Sequence, residues 1–267
     1  MIEVLIAFAV VAGVGLFVGA LLALLSHFFG LAEDKRIKDL RSMLPGVNCG
    51  ACGYRGCDDY AAALVEGTAA SDRCVPGGAD TVALLAEYLG TAAGEMQKNV
   101  AVVHCNGCYA PTAEANIYEG VKSCKAAAML YGGPQACQYA CLGFGDCAAL
   151  CPVNAICMRD GIAHVDASRC IGCGLCVASC PKKVISMVAV KPLVQVLCSS
   201  RDKGAVARKK CTNACIGCKK CEKACPHGAI SVRDNLAVVD APKCTGCGLC
   251  SEACPTGCLG QTVPQNA

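Results

Sequence analysis

The chain has 267 residues, a formal net charge of +3 and 27 cysteines, with aromatic residues at 4% and no tryptophan. The length allows about two domains, and so small a net charge points to no class of partner. So many cysteines leave two classes, a disulfide scaffold in an oxidising compartment or a set of metal sites in a reducing one, while the shortage of aromatic rings weighs against a base-stacking nucleic-acid surface.

The opening stretch, MIEVLIAFAVVAGVGLFVGALLALLSHFFGLAEDKR, has no charged side chain from Val4 to Ala32. That exceeds the ~20 apolar residues needed to span a bilayer, so residues 1–32 are expected to form a single transmembrane anchor. A secretory signal would carry positive charge before the apolar run, and here Glu3 is the only charged residue ahead of it. Lys35, Arg36, Lys38 and Arg41 follow it. The positive-inside bias then puts the N-terminus outside and everything after Leu31 in the cytoplasm, where thiols stay reduced. Gly15 and Gly19 make a G-x-x-x-G, which packs membrane helices but also reflects how common glycine is in them.

Residues 33–80 contain LPGVNCGACGYRGCDDYAAALVEGTAASDRCVPGG, with Cys49, Cys52, Cys57 and Cys74 spaced C-x2-C-x4-C-x16-C. Gly50, Gly53 and Gly56 let the loop fold tightly around a cluster. Asp58 to Ala70 is expected to be a helix that carries the chain back, so that Cys74 closes the site. The spacing also suits a four-cysteine zinc site, but the neighbouring motifs favour a [4Fe–4S] cluster. Residues 81–123 read as a linker with a cysteine-containing insert.

Two further units, 124–197 and 198–267, are related by a repeat. Cys124, Cys137, Cys141, Cys147, Cys151, Cys170, Cys173, Cys176 and Cys180 each have a cysteine 74 residues later, at Cys198, Cys211, Cys215, Cys221, Cys225, Cys244, Cys247, Cys250 and Cys254. Each unit has the form of a bacterial two-cluster ferredoxin. A cysteine run is followed by a hairpin, with turns at Asp160-Gly161 and Asp234-Asn235, and then by a second run. The repeated C-x2-C-x2-C-x3-C-P decides for metal over disulfides, whose geometry is too restrictive for such tight spacings.

In this motif the fourth cysteine ligates the other cluster of the pair. Cys170, Cys173, Cys176 and Cys151 are therefore expected to hold one cluster. Cys215, Cys218, Cys221 and Cys254 hold another, and Cys244, Cys247, Cys250 and Cys225 a third. The stretch CLGFGDCAALCP breaks the pattern, because Phe144 stands where Cys218 stands in the second unit. The site of Cys141, Cys147 and Cys180 is one ligand short. It holds a cluster completed by a substitute thiolate, Cys137 being the nearest, or a three-iron cluster, or none; the first is favoured.

Five [4Fe–4S] clusters are thus expected. A sixth has a candidate ligand set in Cys105, Cys108, Cys124 and Cys137, which competes with the substitute role of Cys137. Cys157 and Cys258 read as small buried residues, and so do Cys198 and Cys211, although the repeat preserves both. Arg201, Lys203, Arg208, Lys209, Lys210, Lys219, Lys220 and Lys223 crowd the second unit. They form a dock for an acidic ferredoxin or a solvated face that offsets cluster charge.

Several clusters in one chain pass single electrons along a row. No nucleotide-binding glycine motif is present, so two-electron chemistry is left to a partner. No catalytic residue is expected.

The apolar N-terminal helix, then NCGACGYRGC with Cys74, then ferredoxin repeats resembles the B subunits of Rnf complexes, membrane-bound ferredoxin:NAD oxidoreductases that move sodium ions or protons. The resemblance covers nearly the whole chain, and CKAAAMLYGGPQAC is similar to the long form of anaerobes. It implies an α+β chain with one anchor, a small four-cysteine domain and two tandem ferredoxin units. It further implies that the chain accepts electrons from reduced ferredoxin and relays them among other membrane and peripheral subunits, which carry the flavin, NAD and ion sites. The rivals are a membrane-tethered polyferredoxin serving a hydrogenase or a regulator-reducing complex, and a zinc-binding structural protein. Colour separates the last: the purified chain is expected to be brown and to bleach on reduction, and a colourless preparation would support zinc.

Overall fold

The computed structural model of the chain describes residues 2–29, 34–92, 94, 98–107, 112–191 and 193–261. It divides into two compact units, residues 1–39 and 40–267. In the first, α1 (Ile2–Phe29) has a mean hydropathy of 2.6 over Phe8–Leu25, and none of that window is buried. A helix apolar all round with no protein against it suits a lipid environment, where its backbone bonds are satisfied internally. The α2 helix (Lys35–Met43) follows, begun by Asp34, whose carboxylate accepts from Arg36 N at 2.9 Å.

The second unit opens with α3 (Cys57–Val65) and α4 (Gly78–Leu89). The α3 helix is shorter than the expected 58–70. It ends where Gly67 takes φ +72, and a 3-10 turn, Ser71–Arg73, leads to Cys74. The left-handed conformation suits glycine and closes the helix. Tyr60, 1% exposed, donates its hydroxyl to Ala70 O at 2.8 Å and locks that turn onto α3.

Beyond α4 come β1 (Asn99–Val103), α5 (Cys124–Met129), α6 (Asp146–Ala149), β2 (Ile156–Arg159), β3 (Ile162–Val165), α7 (Leu175–Ser179) and β4 (Ile185–Ala189). Then follow β5 (Val194–Val196), α8 (Gly204–Lys210), α9 (Lys220–Ala224), β6 (Ile230–Arg233), β7 (Leu236–Val239), α10 (Leu249–Glu252) and β8 (Leu259–Gln261). The strands form antiparallel pairs β1–β4, β2–β3, β5–β8 and β6–β7. Both expected hairpins are present. Asp160 and Gly161 have φ +47 and +80, and Asp234 and Asn235 have +48 and +62, as a type I′ turn requires.

The strand β1 lies in the stretch expected to be linker. Its register with β4, Val100↔Val188 and Val102↔Ser186, places it beside the end of the first ferredoxin-like segment. The β5–β8 pair repeats this arrangement around the second. Two cores result. Ala101, Val103, Ile156, Ile162 and Ile185 pack with Cys141, Cys147 and Cys176. Val194, Val196, Ile230 and Leu259 pack with Cys215, Cys221, Cys250 and Cys258. Two-stranded ribbons are marginal by themselves, and here each packs on the sulfurs.

Gly172, in the run CIGC, has φ +73, and a Cβ there would stand 2.6 Å from Asn99 O. Its cysteine loop therefore lies directly against the start of β1. Gly172→Ala is expected to combine left-handed strain of about 1–2 kcal/mol with a backbone clash. The loss of Tm and of iron bound near Cys170 and Cys173, measured on the purified chain, checks it.

Candidate metal centres

Cys49, Cys52, Cys57 and Cys74 line one cavity, with Tyr60 beside them. Asn48 Oδ1 accepts from Cys57 N at 2.9 Å and so fixes the start of α3 at the third cysteine. Burial pushes the Cys74 thiol up, and the Cys57, Cys52 and Cys49 sulfurs add to the shift. Burial likewise pushes Tyr60 up to about 12. The four expected residues are together.

A second cavity is lined by Cys151, Cys170, Cys173 and Cys176. A third is lined by Cys215, Cys218, Cys221 and Cys254. In both, a cysteine from the other run joins three of one run. Burial, then the nearby sulfurs of Cys225, Cys244 and Cys247, push Cys250 up. Ala155 N donates to Cys151 Sγ at 3.2 Å and Ala229 N to Cys225 Sγ at 3.3 Å, the same bond in each repeat.

Four thiols spaced around a cavity, with backbone amides donating to sulfur, are a donor set that suits an iron–sulfur core. Cys258, expected to be an ordinary buried residue, is buried at 2% but lines the third cavity, its Sγ 3.6 Å from Cys254 Sγ. Its thiol hydrogen-bonds Cys215, which lowers Cys215 and raises Cys258. Cys157, also expected to be buried, is exposed on β2.

At the Phe144 site the structure corrects the expected substitute. Cys124, not Cys137, lies beside Cys141, Cys147 and Cys180. Burial pushes Cys147 up to about 12, and Cys141, Cys124 and Cys180 are the sulfurs that add most. The cause of this placement is Asp146, one residue before Cys147. Its carboxylate accepts from Ser123 Oγ at 2.9 Å, Cys124 N at 3.0 Å and Lys125 N at 3.1 Å, pinning the start of α5 to the start of α6. Burial works to raise the Asp146 carboxyl, but these donors hold it below its usual value. Phe144 packs with Cys124 and Leu142, and its ring meets Tyr118 at 5.4 Å.

The expected set of Cys105, Cys108, Cys124 and Cys137 is also not brought together. Cys108 lies outside the described residues. Cys105 and Cys137 line a separate cavity with Cys198 and Cys211. The irregular spacing of these four, drawn from both units, hid the grouping. Of the basic residues, Lys209, Lys219, Lys220 and Lys223 are exposed. Lys210 pairs with Asp202 at 2.8 Å, and Arg201 with Asp234 at 3.1 Å. Cys218, next to Lys219 and Lys220, is exposed.

Comparison with known proteins agrees with the metal chemistry. Residues 44–76 match the family described as "Putative Fe-S cluster". Residues 169–230 and 214–258 each match a 4Fe-4S dicluster domain. The chain is 41% identical over 230 residues to the B subunit of the Na(+)-translocating ferredoxin:NAD(+) oxidoreductase complex of Acetobacterium woodii, covering 86% of this chain and 69% of that one. It is 41% identical over 236 residues to the B subunit of the ion-translocating oxidoreductase complex of Methanosarcina acetivorans, covering 88% and 89%. It is 41% identical over 229 residues to the B subunit of the proton-translocating ferredoxin:NAD(+) oxidoreductase complex of Clostridium ljungdahlii, covering 85% and 81%. With that identity over most of both chains, and with sulfur-lined cavities where the 4Fe-4S families match, the chain belongs to the B subunits of Rnf-type ion-translocating oxidoreductase complexes and is an electron-transfer component of one.

Proposed function

We propose that this chain takes single electrons from reduced ferredoxin and relays them toward NAD+ reduction, which other subunits couple to Na+ or H+ translocation. The observation that carries the reading is the series of sulfur-lined sites along one chain, one of which includes an exposed Cys218 followed by Lys219 and Lys220. The relatives' names supply ferredoxin and NAD(+) and divide between Na(+) and proton translocation.

The two cores and the repeated closing pairs β1–β4 and β5–β8 support the reading of tandem ferredoxin units. The ligand sets are Cys49, Cys52, Cys57, Cys74; Cys151, Cys170, Cys173, Cys176; Cys215, Cys218, Cys221, Cys254; Cys225, Cys244, Cys247, Cys250; and, at the Phe144 site, Cys124, Cys141, Cys147, Cys180. A [4Fe–4S] cluster in each set supplies one-electron chemistry. The protein holds the thiolates, points amides at sulfur and excludes water, which together set potential. The anchor holds the N-terminus outside and the sulfur sites in the cytoplasm, as the basic residues after α1 support.

Cys124→Ala is expected to remove iron from the Phe144 site alone or to leave a three-iron cluster there. Low-temperature EPR of the oxidised chain distinguishes these outcomes, and unchanged iron would overturn that ligand set. Asp146→Ala removes the acceptor of the Cys124 and Lys125 amides at the start of α5, a loss comparable to that of a helix cap, about 0.5–2 kcal/mol, and is expected to weaken the same site with no loss at the others.

Membranes from the source cell, with and without this chain, test the function. Supplied with reduced ferredoxin, they are expected to form NADH only with the chain present, and sodium dependence identifies the coupling ion. Unchanged NADH formation on deletion would favour a polyferredoxin serving another enzyme. Lys219→Glu with Lys220→Glu is expected to raise the KM for ferredoxin, less so at high salt, if these charges steer the encounter.

A further inference from the structure

Cys105, Cys137, Cys198 and Cys211 belong to none of these sets, yet they line one cavity. Like the cavities lined by the regular sets, it has at least four cysteines on its walls. Cys105 follows β1, Cys137 lies in the first unit, and Cys198 and Cys211 lie in the second. A Cβ on Gly107 would stand 3.1 Å from Cys211 Sγ and 3.8 Å from Cys105 Sγ, so both sulfurs lie close to one point.

The surroundings are built to hold sulfur. In the regular sets, the amide two residues on bears on the cysteine sulfur, as Leu175 does for Cys173, Gly217 for Cys215 and Thr256 for Cys254. The same bond recurs here, from Gly107 to Cys105, Tyr139 to Cys137 and Ser200 to Cys198. Cys211 receives the Thr112 hydroxyl at 3.5 Å. Amide and hydroxyl donors aimed at sulfur stabilise thiolates and cluster charge.

The loops that bring the four together are tied across the units. The segment after Thr112 bridges both, with Ala113 N donating to Lys210 O at 2.9 Å and Ala136 N donating to Ala113 O at 2.8 Å. This draws Cys137 toward Cys211. Asn213 Nδ2 donates to Asn106 O at 2.8 Å, and Ser199 Oγ to His104 O at 2.9 Å, which holds the Cys105 loop on the second unit. His104 itself reaches Val196 O at 2.7 Å and Ser186 Oγ at 2.6 Å.

Two contacts give the cavity its place in a relay. Cys141 N donates to Cys105 Sγ at 3.4 Å, and Cys215 N donates to Cys198 Sγ at 3.3 Å. Cys141 belongs to the Phe144 site of the first unit and Cys215 to a regular set of the second. The cavity therefore touches a site in each unit through one hydrogen bond.

We propose that Cys105, Cys137, Cys198 and Cys211 ligate a sixth [4Fe–4S] cluster at the seam, and that this cluster is the electron bridge between the two ferredoxin units. One electron arrives from the reduced site of one unit and leaves for the oxidised site of the other, with no atom or proton transferred. The bridge role rests on the proposed electron relay; the existence of the site does not.

The test uses the full chain in detergent, purified without oxygen and reconstituted with ferrous iron and sulfide. Iron and acid-labile sulfide per chain are measured for the native protein and for Cys198→Ala, Cys211→Ala and Cys108→Ala. The seam cluster predicts that Cys198→Ala and Cys211→Ala each lose about one sixth of the iron, one cluster of six, and that Cys108→Ala loses none. Full iron in both seam variants, or loss in Cys108→Ala alone, overturns it. If the seam variants shed all their iron, Cys124→Ala decides: with any three-iron signal counted separately by EPR, five [4Fe–4S] clusters in that chain support the seam site and four overturn it. For the bridge, stopped-flow reduction of Cys211→Ala by reduced ferredoxin is expected to stall after the clusters of one unit, and full reduction at the native rate would remove that role while leaving the iron count to judge the site.

Discussion

A buried thiolate must find hydrogen-bond donors or a metal, and this constraint shapes the chain after its anchor. Cysteines occupy the positions that large apolar side chains hold in other small domains, and both cores pack their strands on them. A buried thiolate without compensation is costly. The chain answers with backbone amides turned toward sulfur, such as Ala155 N on Cys151 and Ala229 N on Cys225. Metal binding then supplies folding energy that aromatic packing does not. The short ribbons and helices between the cysteine runs are scaffolding around these sulfurs.

The same constraint explains the irregular first unit. Loss of a cysteine at Phe144 leaves a cavity edge that must be filled, and the ring packs there against Cys124 and Tyr118. Asp146 then ties Cys124 to the segment that carries Cys147. A single carboxylate thus replaces the local spacing rule with a tertiary one. Cys137 instead lines a cavity with Cys105, Cys198 and Cys211.

At the seam the repeat ceases to be symmetric. The sequence pairs Cys124 with Cys198 at an offset of 74, but the two do different things. Cys198 accepts from Cys215 N as Cys105 accepts from Cys141 N. The structural counterpart of Cys198 is Cys105, each lying just after the first strand of its unit, β5 and β1. The extra residues between Cys105 and Cys124 displaced the alignment, and the Thr112 segment they contain stitches the units together.

The long apolar helix, the grouping of Cys49, Cys52, Cys57 and Cys74, both hairpins and the grouping of cysteines from paired runs were legible in the order of residues. Each of these depends on spacing within a short stretch: an apolar run long enough for a bilayer, C-x2-C-x2-C loops, or a two-residue turn with positive φ. The partners of Cys105, Cys124, Cys137, Cys198 and Cys211, the pairing of β1 with β4, and the exposure of Cys157 emerged only in the folded chain. Those outcomes rest on contacts between residues far apart in the chain, where a carboxylate cap or a bridging segment selects among thiols that spacing leaves equivalent.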